Sequence, residues 1–209
     1  MNVNEIDIRK TALLFFDMLN IYYHGATEET KKRMHPVVSN AARLCDAARK
    51  ASIPIFYAKA NHRPDGLIRS MIVTDTDMRL HPWPRGECNP PRHGATEGSW
   101  EAEVIEEIRP QPEDYLIPKY RWNAFHQTYL DLALRARGLD TIILSGGSVD
   151  VGVASTAYAA RDLDYNLIIV RDACSNSFDD SLAIFMDKVF PRMGRVRTTD
   201  QVLQMMRKG

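Results

Sequence analysis

Thr141-Ile142-Ile143-Leu144-Ser145-Gly146-Gly147-Ser148-Val149-Asp150-Val151-Gly152-Val153-Ala154-Ser155-Thr156 is the stretch whose reading decides the fold. It opens with an apolar, β-branched run of the kind buried on both faces of a sheet. Two glycines then allow a sharp exit, and Asp150 stands where a helix over about 152–163 should begin. The same unit recurs on either side. Upstream, 12–17, 53–58 and 115–119 read as strands, with helical periodicity over 36–51, 100–108 and 125–137. Downstream, 166–170 and Arg195-Val196-Arg197 read as strands, with helices over 179–189 and 199–207. Successive strand and helix units, joined by right-handed crossovers, predict an α/β fold. The expectation is a doubly wound, six-stranded, mostly parallel sheet with helices on both faces, forming one domain over 1–209.

Composition narrows the function. The 209 residues carry 27 Lys and Arg against 27 Asp and Glu, so the formal net charge is zero, with no basic stripe to track a phosphate backbone. Nucleic acid and membrane are therefore not expected as partners. No run reaches the roughly 20 apolar residues of a bilayer span, and the start, Met1-Asn2-Val3-Asn4-Glu5, lacks the profile of a signal peptide. A cytoplasmic protein is expected. Cys45, Cys88 and Cys174 are irregularly spaced, without C-x-x-C, and read as reduced thiols. Residues 61–99 interrupt the alternation: five prolines, four glycines and three of the six histidines mark a long loop, either a lid or arm or a plain surface excursion.

In open parallel sheets, ligands gather beyond the carboxyl ends of the strands. Asp17 ends the first apolar run, Asn61 and His62 follow the second, Lys119 ends the third, and the glycine-rich turn follows the fourth. Asp17 and Lys119, behind strands taken as adjacent, would compensate each other's charge in a buried cleft. The helix after the glycine turn would aim its N–H groups at the same place and could hold a carboxylate or an oxyanion, although a turn needing glycine for packing alone has the same pattern.

These blocks resemble the isochorismatase-like hydrolases, the superfamily of nicotinamidases, N-carbamoylsarcosine and ureidoacrylate amidohydrolases, and isochorismatases. Thr11 to Met18 is similar to its opening strand, ending in a catalytic aspartate, and Lys119-Tyr120-Arg121-Trp122-Asn123-Ala124-Phe125 to its catalytic-lysine motif. Leu132 to Gly138, Gly146 to Thr156, Ala159 to Asp162 and Val170 to Ala173 extend the likeness along nearly the whole chain. The resemblance implies a small-molecule hydrolase, a homodimer or homotetramer, and a cis peptide at Gly147-Ser148.

The chain departs from the pattern at Gly152, which stands where the amidohydrolases of the family carry their cysteine nucleophile. The isochorismatase branch has a similar glycine, and its vinyl-ether hydrolysis needs a proton donor rather than a thiolate. By that resemblance Asp17 is the general acid, Lys119 orders it, and Gly152 leaves room for substrate. Asn61, His62, Arg69, Trp122, Gly147 and Ser148 are the expected substrate contacts. Ala60 replaces the aspartate of the nicotinamidase metal pattern, so neither a metal nor another cofactor is expected, although His62, His81, His93 and Cys88 could in principle form a different site. Two rival readings stand beside this one. A ligand-binding protein could have lost the reaction, or an altered cysteine amidohydrolase could act on a C–N bond.

Overall fold

A computed structural model describes residues 3–65, 94–176 and 179–208. Six strands, β1 (Thr11–Phe16), β2 (Ile55–Ala60), β3 (Tyr115–Lys119), β4 (Thr141–Gly147), β5 (Asn166–Ser175) and β6 (Arg195–Arg197), form one sheet of order β3-β2-β1-β4-β5-β6. Every pairing is parallel. The order reverses between β1 and β4, which makes their carboxyl ends the switch point where a crevice opens.

Strand alternation divides the core into two layers. Ala12, Leu14 and Phe16 of β1 pack with Ile142 and Leu144 beneath α2 (Leu130–Ala136) and α3 (Ala154–Asp162). Leu13 and Phe15 turn the other way, with Ile143 and Ile168, beneath α1 (Glu28–Lys50) and α5 (Thr199–Lys208). A short helix, α4 (Asp179–Ile184), follows β5. No helix among the described residues is long and apolar enough to cross a membrane.

Several elements differ from their predicted form. α1 begins at Glu28 rather than near 36, because the Thr27 hydroxyl accepts from the Thr30 N–H at 3.3 Å and Glu28 and Glu29 favour the positive helix end. Pro36 is therefore inside the helix. The helix expected over 100–108 is two single turns, Trp100–Ala102 and Glu106–Ile108, and that over 125–137 contracts to α2. The strand expected over 166–170 runs on to Ser175, while the helix expected over 179–189 regularises only to Ile184 and then widens into a looser turn. Most of the predicted 61–99 loop, with Arg69, His81, Cys88 and His93, lies outside the described residues.

Candidate active site

Asp17 follows β1 in the left-handed region, at φ +48°, a conformation that short polar side chains tolerate best. Its N–H still donates to the Ala58 carbonyl at 2.9 Å. One carboxylate oxygen accepts from the Ala60 N–H at 2.8 Å, and the other from Lys119 Nζ at 2.6 Å. The Lys119 and Asp17 side chains are 6% and 11% exposed, so the pair is desolvated rather than a surface contact. β1 and β3 are not neighbours as the sequence suggested. β2 lies between them, with Ala58 in register with both Phe16 and Ile117. Lysine has the reach to cross that strand.

Burial is the dominant influence on Asp17 and pushes its carboxyl above the ordinary value of 3.8; Lys119 and the two hydrogen bonds oppose the shift without cancelling it. The Phe16 ring lies beneath the ammonium, its centroid 4.3 Å from Nζ.

β4 leaves the sheet through Gly146, at φ +122°, where an added Cβ would lie 2.1 Å from the Phe16 carbonyl oxygen. The Gly147–Ser148 peptide is cis, as the resemblance implied. Val149–Val153 then winds as one wide π-type turn into α3. Ser148 Oγ lies 2.6 Å from both Asp150 Oδ1 and Asn176 Oδ1. Ser181 Oγ donates to Asp150 Oδ2 at 3.2 Å, closing a network that ties the turn to the end of β5. Gly152 is buried against Phe16: a Cβ there would meet ring atoms Cε1 at 2.1 Å and Cζ at 2.3 Å. Ser155 Oγ donates to the Gly152 carbonyl and Thr156 Oγ1 accepts from the Ala124 N–H, so both hydroxyls are engaged in structure.

These groups surround a cavity of about 370 Å³. Asp17, Lys119, Gly152, Trp122, Gly147 and Ser148 all line it. Asn61 and His62 do not: the Asn61 N–H donates to the Lys119 carbonyl, and His62 pairs through its backbone with Ala95 and Glu97. Sequence reasoning missed Tyr22, Thr30, Arg33 and Met34 on the opposite wall, and Ser175 and Asn176 at the end of β5. Thr27-Glu28-Glu29 was the available signal for the first group, since it starts the helix that carries Thr30, Arg33 and Met34. No cysteine lines the cavity among the described residues; Cys45 and Cys174 are buried elsewhere. The arrangement supplies a desolvated carboxyl that can hold a proton and an ammonium that orients it; the room that Gly152 was expected to leave for substrate is filled, at the place of a side chain, by the Phe16 ring.

Comparison with known proteins agrees with this fold. The model of the Isochorismatase domain matches residues 11–201. An uncharacterized isochorismatase family protein of Bacillus subtilis, YwoC, is 35% identical over 206 residues, covering 98% of each chain. Among solved structures, an isochorismatase family protein from Burkholderia thailandensis superposes with a TM-score of 0.77 at 27% identity, over 99% of this chain and 100% of that one. N-carbamoylsarcosine amidase from Thermoplasma acidophilum does so with a TM-score of 0.70 at 29% identity, over 91% and 97%.

Proposed function

Because the chain belongs to the isochorismatase family, whose members are hydrolases, we propose that it cleaves a small polar or anionic metabolite by acid catalysis, using the Asp17 and Lys119 pair without a thiol nucleophile. The observation that carries this reading is the buried carboxyl and ammonium pair at the floor of the cavity, with glycine and an aromatic ring where a nucleophile would need room. An enol ether is the favoured substrate. Asp17, its carboxyl raised by burial, delivers a proton to the enol carbon, and Lys119 steadies the carboxylate that remains. Water adds to the resulting oxocarbenium carbon and loses a proton back to Asp17. The hemiketal then collapses to a carbonyl compound and an alcohol.

Arg33 lines the cavity, forms no ion pair among the described residues, and supports an anionic group on the substrate. Leu116 on β3, Tyr129 just before α2 and Leu132 on α2 are exposed and support assembly into a homodimer or homotetramer, placed in the cytoplasm by this reading. Likeness to an amidase favours a second reading, direct attack of water on a C–N bond.

The test is a panel of small enol ethers and amides offered to the parent chain and to Asp17→Asn. Enol-ether turnover that falls by about 10³-fold in the variant, within the usual worth of a positioned acid, is the expected result. Ammonia release from the amides would favour the second reading. Full turnover in Asp17→Asn, or ligand binding with no product from any compound, would overturn acid catalysis.

A further inference from the structure

We propose that Phe16 is a positioning residue of this site, its ring face holding the Lys119 ammonium and its ring edge occupying the space that a side chain at position 152 would need. The word positioning rests on the hydrolase reading; the packing does not. Phe16 is the last residue of β1 and 2% exposed, with one side in the core beside Leu14 and Ile117 and another lining the cavity. Lys119 Nζ stands 4.3 Å from the ring centroid, and ring atoms Cε1 and Cζ lie 2.1 Å and 2.3 Å from where a Cβ on Gly152 would be. One ring thus fixes a neighbour on each side.

The reaction makes this arrangement matter. While Asp17 is ionised, Lys119 has a full counter-charge at 2.6 Å. When Asp17 carries the proton it must deliver, that counter-charge is gone and the buried ammonium would be poorly tolerated. The negative face of the ring then becomes its principal electrostatic partner among the described contacts. A leucine would fill part of the volume but lacks both that face and the two atoms nearest position 152. Glycine at 152 follows from the same geometry, because any Cβ would push the ring off the ammonium.

Two measurements on the full-length chain test the proposal. The first is nuclear magnetic resonance of the Lys119 ε-methylene, in the parent, in Phe16→Leu and in Gly152→Ala. The ε protons should be shifted upfield by the ring current in the parent, lose that shift in Phe16→Leu, and lose part of it in Gly152→Ala, whose methyl displaces the ring edge. The parent and Gly152→Ala keep the test open if Phe16→Leu does not fold.

The second measurement is a thermal-stability cycle. Gly152→Ala should lower Tm in the parent, and by less than half as much in the Phe16→Leu background. No upfield shift in the parent, ε resonances unmoved by both replacements, or an alanine penalty equal in the two backgrounds, would overturn the proposal. Neither readout needs turnover, so failure of the hydrolase reading on the substrate panel is seen separately.

Discussion

Asp17 carries the pH dependence of the site. Burial raises its carboxyl above 3.8, so the protonated form persists at pH values where an exposed aspartate would be ionised. A reaction that consumes that proton slows as pH rises through the raised value. Lys119 works against the shift, and removing its charge must move the midpoint further up. The expected outcome for Lys119→Met is a lower kcat/KM whose descending limb lies at higher pH than in the parent, checked by rate profiles of both chains. A limb that moved down, or stayed in place, would mean that another group supplies the proton. Asp17 and Lys119 were legible in the sequence because a charge ending an apolar strand has few places to go. The part played by Phe16 was not, because an aromatic residue in an apolar run looks like core whichever ring atoms meet a neighbour.

At the scale of elements, the first turns of α1 decide who faces the ligand. Thr30, Arg33 and Met34 reach the cavity only because the helix starts at Glu28, and its start is held by the Thr27 hydroxyl. Thr27→Ala should cost about 1 kcal/mol of stability, as loss of a helix cap does. Fraying there should raise KM more than it lowers kcat, since the acid and its lysine sit on other elements; urea unfolding and steady-state kinetics check the two halves. The sequence reading began this helix at Pro36 because proline is commonest in a first turn, and so left the ligand-facing turns unread. β3 and β6 were read to the residue and β1 and β4 within one or two, since continuous apolar runs admit few alternatives, whereas β2 lies two residues further along and β5 runs on past 170. Helical periodicity misled over 100–108, where Ala102 and Ile108 are buried from two separate turns and Val104 and Ile105 pack from the link between them.

At the scale of the molecule, the sheet order binds the halves of the chain together. β1 pairs with β4 from Thr11 opposite Thr141 to Phe16 opposite Gly146, so the centre of the sheet joins segments more than a hundred residues apart. The chain should therefore unfold in a single transition by circular dichroism and fluorescence, and a fragment ending at residue 139 should show no cooperative melt. Two separated transitions would indicate independent halves. The same order gives β2 a role that its own side chains do not advertise. Neighbouring strands run about 4.8 Å apart, so Asp17 and Lys119 are tethered to rails separated by two such gaps. Ala58, in register with Phe16 and Ile117 on the flanking strands, shares their core layer with only a methyl. Ala58→Leu should cost about 1–3 kcal/mol through overpacking and depress turnover further than that loss explains, read from melting curves beside rates. A residue with no chemistry of its own keeps the seat of the aromatic ring level, and a bulkier neighbour would tilt it beneath the ammonium without touching either charge.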